Sequence, residues 1–87
     1  MVRMFARHQV ADYDAWRKVY DAFDRESLGV RQHVIHRRVD DPNEITVTHD
    51  FDDRATAESF AGSDDLKAAM SEAGVVSAPN IWITDEA

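Results

Sequence analysis

With 87 residues, 44% of them hydrophobic, and a formal net charge of −7, the chain has the size and mixed composition of one globular domain over residues 1–87. The acidic balance argues against nucleic acid or a membrane as partner, and the absence of cysteine excludes disulfides, thiolate metal sites and cysteine nucleophiles. No apolar run approaches the roughly 20 residues of a membrane span, and the sequence opens on a strand pattern rather than a signal peptide, so we expect a cytoplasmic protein.

The first predicted element is a β-strand over residues 2–10, in which two kinds of side chain alternate. This period of two is typical of a strand with two different faces. One face carries Val2, Met4, Ala6, His8 and Val10, and the other carries Arg3, Phe5, Arg7 and Gln9. His8 is the one polar side chain on the apolar face, which makes it a candidate for chemistry.

An amphipathic helix is predicted next, beginning after Asp12 as its N-cap and running for about four turns. Its apolar stripe is aromatic at three- and four-residue steps: Tyr13, Trp16, Tyr20 and Phe23. Gly29 occupies the position where a left-handed residue would end the helix. We therefore expect this aromatic stripe to cover the strand face that carries His8.

Residues 30–40 and 44–51 predict two further strands, joined by a turn at Asp40-Asp41-Pro42-Asn43. So short a connection favours an antiparallel hairpin. Pairing Asp40 with Asn43 gives a register whose pairs are His36 with Val47, Val34 with His49, and His33 with Asp50. In this register His36 and His49 share the apolar face with His8, Arg38 lies at its rim, and His33 pairs with Asp50 on the opposite face.

The remaining pattern predicts two short helices and a last strand. Asp52-Asp53 caps the first helix, which carries Phe60. Ser63 caps the second helix, whose apolar stripe consists of Leu66, Ala69, Met70 and Ala73. The last strand covers residues 81–84. The order β-α-β-β-α-β predicts an α+β, ferredoxin-like fold. Its four-stranded antiparallel sheet would have the strand order 4-1-3-2, with the helices on one face.

The other face of the predicted sheet mixes large apolar side chains with arginines. Its members include Phe5, Ile35, Val39 and Trp82 together with Arg3, Arg7, Arg31 and Arg37. Aromatic residues and arginines are enriched at protein interfaces. A chain this short is also marginal alone, so we predict a homodimer formed through this open sheet face.

Two stretches of the sequence resemble a known superfamily over nearly the whole chain. They are Arg7-His8-Gln9-Val10 with Asp12 to Trp16, and Phe51-Asp52-Asp53, Ala55 to Ala57, Phe60, Ser63 to Met70, Ala73-Gly74-Val75 and Pro79. They are similar to the dimeric α+β barrel proteins of the antibiotic biosynthesis monooxygenase-like superfamily, which includes small bacterial proteins labelled cyclases. The resemblance implies a ligand between sheet and helices. It also implies relatives such as cofactor-independent monooxygenases, polyketide cyclases, muconolactone isomerases and haem-degrading enzymes.

Candidate site residues follow from the apolar face of the predicted sheet. A neutral imidazole there can abstract a phenol or enol proton, so His8 is the candidate base, although a core histidine bonded to a backbone carbonyl is the alternative. The residues expected to polarise or position a substrate are His36, His49 and Tyr20; those expected to bind it are Tyr13, Trp16, Phe23, Phe60 and Arg38. The histidine spacing matches no metal motif and no glycine-rich loop is present, so we expect neither a metal nor a cofactor.

The sequence thus favours a cofactor-independent monooxygenase or a cyclase/isomerase-type enzyme that acts on a small aromatic or polyketide-like molecule. A non-catalytic binding protein with the same pocket is one alternative. A structural homodimer whose histidines are satisfied core residues is another. An internal cavity beside His8 would separate the first two hypotheses from the third, and turnover would separate the first from the second.

Overall fold

The computed structural model describes all residues from Met1 to Ala87. Its strands are β1 (Val2–Gln9), β2 (Gln32–Arg38), β3 (Asp41–Phe51) and β4 (Asn80–Asp85); its helices are α1 (Tyr13–Ala22), α2 (Arg54–Ala61) and α3 (Asp64–Glu72). The strands form one antiparallel sheet in the order β2-β3-β1-β4, so the predicted ferredoxin-like α+β fold and strand order are confirmed. No helix has the length and apolar character needed to cross a membrane.

The sheet has one buried face, which we call the helix-covered face. It consists of Val2, Met4, Ala6 and His8 of β1, Ile45, Val47, His49 and Phe51 of β3, and Ile81 and Ile83 of β4. The pairing of β1 with β3 places Met4 opposite His49 and His8 opposite Ile45. The predicted alternation in β1 is therefore confirmed. We call the opposite side of the sheet the open face.

Side-chain caps fix where each helix begins. The carboxylate of Asp12 accepts the N–H of Ala15 at 3.3 Å, and that of Asp53 accepts the N–H of Thr56 at 2.7 Å. At the start of α3 the hydroxyl oxygen of Ser63 accepts the N–H of Leu66 at 3.1 Å. Each cap satisfies a backbone donor that the first helical turn leaves free. All three caps are where the sequence predicted them.

Helix α1 ends at Ala22, so the prediction of a helix reaching Gly29 was wrong. Phe23 has extended backbone angles (φ −74°, ψ 125°), and a 3₁₀ turn at Glu26–Leu28 follows before Gly29, whose φ is 93°. The guanidinium of Arg25 donates to the carbonyl oxygen of Tyr20, which a continued helix would have used for the next backbone bond. The glycine therefore ends the 3₁₀ turn instead of the helix.

The hairpin between β2 and β3 differs from the prediction by one residue of register. The turn residues are Val39 and Asp40, and β3 already begins at Asp41. Proline lacks a backbone donor, and Pro42 is accommodated because residues 42–44 have no partner on β2, where the register is irregular. Most of the turn-forming residues that the sequence offers here therefore lie in the irregular segment at the start of β3 and not in the turn itself.

A one-residue shift moves every side chain of a strand to the other face of the sheet. His33 therefore lies opposite His49, and His36 lies opposite Thr46 on the open face. The predicted positions of His36 and Arg38 on the helix-covered face were wrong, and so was the predicted His33–Asp50 pair. Ile35 and Arg37, predicted on the open face, lie opposite Val47 and Ile45 on the helix-covered side. The carboxylate of Asp50 instead accepts two hydrogen bonds from Arg3, at 2.6 and 3.0 Å.

Candidate functional site

A small cavity of about 40 Å³ lies between the helix-covered face and the seam of α1 with α3. The sheet contributes Met4, Ala6, His8, Val47, His49 and Ile81; α1 and its end contribute Trp16, Val19, Tyr20 and Phe23; α3 and its end contribute Leu66, Ala69, Met70 and Ala73. A water needs roughly 10–15 Å³ on this measure, whereas a benzene-binding cavity is on the order of 150 Å³. At this volume the cavity admits a water or a polar substituent, and a ring requires it to widen.

His8 is the most isolated polar group of this cavity. It is only 6% exposed, and neither ring nitrogen has a hydrogen-bond partner within the chain. Its ring lies 5.9 Å from that of Trp16, centroid to centroid. Burial lowers the pKa of His8, so the imidazole is neutral at pH 7. An unsatisfied buried polar group costs about 1–3 kcal/mol, which favours a role beyond packing.

His49 of the sheet and Tyr20 of α1 form a hydrogen-bonded pair in the cavity lining. The Tyr20 hydroxyl lies 3.0 Å from Nε2 of His49, whereas Nδ1 of His49 has no partner within the chain. Burial, helped by the positive charge of Arg25, lowers the pKa of His49 to about 4. Burial raises the pKa of Tyr20 to about 12, so both groups are neutral at pH 7. The pair offers the cavity one more free ring nitrogen.

The two buried histidines stand at opposite ends of one aromatic row. Successive ring centroids lie 5.9 Å apart from His8 to Trp16, 4.9 Å from Trp16 to Tyr20, and 6.0 Å from Tyr20 to His49. Because His49 pairs with Met4, it is offset from His8 by four residues of β1, or roughly 13 Å. The two imidazoles therefore line one cavity but do not meet at one atom.

The other predicted site residues divide into three groups. Trp16 and Phe23 line the cavity. Tyr13 and Phe60 stand behind that lining: Tyr13 packs 5.8 Å from Trp16, and Phe60 packs 5.0 Å from His49. On the open face, His36 is exposed, and Arg38 donates hydrogen bonds to Asp40 and Glu44. His36 and Arg38 take no part in this site.

Some residues of the site were not singled out from the sequence. The stripe of α3, read only as core, supplies the second helical wall. Arg25 places its guanidinium carbon 4.2 Å from the ring centroid of Tyr20, and the ring of His33 lies 5.7 Å from the same ring. His33 was missed because the predicted hairpin register placed it on the other face of the sheet. Arg25 was missed because α1 was predicted to continue past it. No three histidine, aspartate or glutamate side chains converge as metal ligands would.

Solved structures of other proteins share this architecture. No protein-family model and no curated protein matches the chain. A conserved protein from Methanosarcina mazei Go1 superposes with a TM-score of 0.77 at 16% identity, over 99% of this chain and 92% of that one. A protein named antibiotic biosynthesis monooxygenase gives 0.70 at 13% identity, over 100% and 99% of the two chains. A Caulobacter crescentus CB15 protein named as a candidate antibiotic biosynthesis monooxygenase gives 0.77 at 18%, over 99% and 89%.

These superpositions establish a shared fold. The fold implied by the sequence resemblance is thus confirmed, and the architecture is that of structures named after antibiotic biosynthesis monooxygenases. Fold alone does not determine chemistry, which depends on the side chains of the site.

Proposed function

We propose that this chain is an antibiotic biosynthesis monooxygenase-like enzyme of the cofactor-independent monooxygenase or cyclase/isomerase type. Its substrate would be a small aromatic or polyketide-like molecule bound between the sheet and helices α1 and α3. The observation that carries the proposal is His8, a buried imidazole with two unpartnered nitrogens in an otherwise mostly apolar cavity. The names of structures with the same fold support the choice of reaction class.

His8 is the general base of this proposal. A phenol or enol proton of the substrate passes to a ring nitrogen of His8, and the electron pair stays on the substrate as a phenolate or enolate. The same burial that lowers the pKa of His8 excludes water, so the resulting anion and imidazolium stabilise each other strongly. Proton transfer is therefore favoured only when substrate and base lie in contact.

Tyr20 and His49 position the substrate. We assign the Tyr20 hydroxyl as donor to Nε2 of His49, because the raised pKa of Tyr20 keeps its proton in place. Nδ1 of His49 then carries the ring hydrogen and is free to donate to a substrate oxygen. A substrate that meets both histidines carries oxygen functions near both ends.

The test is turnover and binding by a His8→Gln variant, with His36→Gln on the open face as the matched control. Hydroquinones and polyketide-like enols serve as substrates, with oxygen uptake and quinone absorbance as readouts. Glutamine keeps hydrogen-bonding groups but cannot accept the proton, so we expect kcat to fall about 10²-fold or more while calorimetric binding remains. Unchanged kcat in His8→Gln would rule out the base role. The control should match the wild type.

A non-catalytic binding protein is the second candidate, because a mostly apolar cavity with unpartnered ring nitrogens offers a ligand hydrogen bonds whether or not a reaction follows. Such a protein would bind the same molecules with no turnover in any condition. The structural alternative requires satisfied histidines, and the unpartnered nitrogens of His8 and His49 argue against it.

We also propose that the open face forms a homodimer. One row crosses all four strands there: Val34 lies opposite Thr48, Thr48 opposite Phe5, and Phe5 opposite Trp82. Phe5 and Trp82 stack with centroids 5.2 Å apart, and Val34 is 49% exposed. Ion-paired residues flank this apolar row, as in an interface with an apolar centre and a polar rim. The chain would act as one domain over residues 1–87, in the cytoplasm.

A further inference from the structure

A surface groove adjoins this small cavity. This outer groove, of about 390 Å³, follows the seam between α1 and α3 on the side away from the sheet. Three side chains line both spaces: Val19, Phe23 and Ala69. They are therefore the partition between a cavity too small for a ring and a groove large enough for one.

Phe23 is the movable part of this partition. It follows the last residue of α1, its backbone is extended, and its side chain is only half-buried. Val19 and Ala69, by contrast, belong to helices. A rotation of the Phe23 side chain joins the two spaces without unwinding either helix, and rotations of this kind are fast compared with catalysis.

The outer groove and the cavity differ in charge. The groove is lined by three carboxylates, Asp24, Asp65 and Glu72, and by no lysine, arginine or histidine. The cavity has three neutral polar side chains, His8, Tyr20 and His49, and no formal charge. An anion would meet repulsion in the groove and then lose its hydration in a cavity whose lining holds no cationic side chain, since Arg25 lies over the Tyr20 ring outside that lining.

We infer that ligands pass through the α1–α3 seam at Phe23 and that the acidic groove selects uncharged aromatic molecules over anionic ones. This inference rests on the proposed function, because it takes the cavity as the binding site. The buried, unpartnered nitrogens of His8 and His49 are the groups that such a ligand satisfies. Hydroxyl and carbonyl oxygens suit them, whereas Arg38, predicted to bind the substrate, lies on the open face with Asp40 and Glu44.

The selectivity test compares 1-naphthol with 1-naphthalenesulfonate, which share one ring system and differ in charge. Calorimetry at low ionic strength and pH 7.5 should give at least about tenfold tighter binding of the naphthol. Replacing both groove acids of α3, Asp65→Asn with Glu72→Gln, should strengthen sulfonate binding about threefold per charge removed and leave naphthol within about twofold. The matched control is Asp64→Asn, in the same helical turn but outside the groove lining, which should change neither.

The route test measures association rates from the fluorescence of Trp16, in a Trp82→Phe background that leaves it as the one tryptophan. Phe23→Ala removes most of the movable side chain of the partition and should raise the naphthol association rate about tenfold. Phe23→Leu keeps more of the packing and should give a smaller increase in the same direction. Calorimetric affinities are measured alongside, so that a changed rate is separated from a changed complex.

Three results would overturn the inference. Equal affinity for the two probes in the wild type removes the selectivity, and unchanged association rates in both Phe23 variants remove the route. Either result leaves the proposed function standing. Binding of neither probe, in the wild type and in Phe23→Ala, overturns the proposed binding site itself and the inference with it.

Discussion

The hydroxyl of Tyr20 lies 3.0 Å from Nε2 of His49, and this buried hydrogen bond ties α1 to the centre of the sheet. The two residues are 29 positions apart in sequence, so the bond forms only when the helix has docked. Burial keeps the tyrosine protonated and the histidine neutral. The contact therefore stabilises the fold and sets the tautomer of a cavity side chain at the same time.

Tyr20→Phe should destabilise the protein by about 1–3 kcal/mol, because it leaves a buried ring nitrogen of His49 without its partner. Tyr13→Phe is the matched control, since the Tyr13 hydroxyl accepts only an exposed hydrogen bond from Arg17. We expect that control within about 0.5 kcal/mol of the wild type. Urea unfolding at pH 7.5 measures both variants. Equal losses in the two would show that the buried bond contributes nothing specific.

Stability should fall as the pH falls from about 6.5 toward 4. The folded state holds His49 at a pKa of about 4 against an ordinary 6.5, so the unfolded chain binds more protons in that interval. The contribution is complete above pH 6.5 and is lost progressively below it, by about 2 kcal/mol at pH 5. The lowered pKa of His8 acts in the same direction. Urea unfolding at pH 7.5 and 5.0, at one protein concentration, measures the difference.

The matched variants for this pH dependence are His49→Gln and His36→Gln. His49→Gln lowers stability at both pH values but should flatten the difference between them. His36 is exposed on the open face, and its replacement should leave the difference unchanged. If the loss of stability between pH 7.5 and 5.0 persists in His49→Gln, the acid sensitivity comes from other groups.

Much of this fold was predictable because the local sequence preferences and the pattern of buried residues indicate the same elements. The alternation in β1 and the caps at Asp12, Asp53 and Ser63 all depend on neighbours within a few residues. The apolar position of His8 follows from the same alternation. From these features the sequence predicted the part of the cavity lining that β1 and α1 contribute.

The hairpin register was not predictable in the same way. Pro42 and Asn43 are ordinary turn formers, yet they lie in an irregular segment of β3, and Val39, an unusual turn residue, lies at the tip. The choice depends on the pairing of β3 with β1, where the backbone N–H of Val10 donates to the carbonyl of Asn43 at 2.9 Å. Such long-range pairing has no signal in the local sequence. The predicted register was therefore wrong by one residue, which placed His36 on the helix-covered face in place of His33.

Gly29→Ala should destabilise the fold by about 2–4 kcal/mol. Its φ of 93° is costly for alanine, and an added Cβ would lie 2.5 Å from Cγ2 of Thr56 on α2. Combining Gly29→Ala with Thr56→Ser removes that methyl group and should recover part of the loss. Gly62→Ala is the control, because its φ is −97° and the nearest atom would be 3.6 Å away. Urea unfolding that ranks Gly62→Ala with Gly29→Ala would contradict this explanation.

The open face combines a small apolar row with buried charge pairs. Asp50 and Glu44 are buried carboxylates, and hydrogen bonds from Arg3 to Asp50, and from Arg38 and Arg7 to Glu44, hold the pKa of each below its usual range. Satisfied charges of this kind tolerate the loss of water that a second copy would impose. The apolar row between them is where a partner gains most from burial.

Val34→Asp should therefore weaken the proposed homodimer at least about tenfold, because it places an unpaired carboxylate at the β2 end of the row. Val76→Asp is the matched control: Val76 is 65% exposed, more than the 49% of Val34, and lies outside the sheet. Light scattering across a dilution series should give twice the 9.9 kDa chain mass for the wild type and for Val76→Asp. Val34→Asp should shift toward the single-chain mass. A wild-type chain that stays monomeric at all concentrations would show that the open face does not pair, and equal dissociation in both variants would place the interface elsewhere.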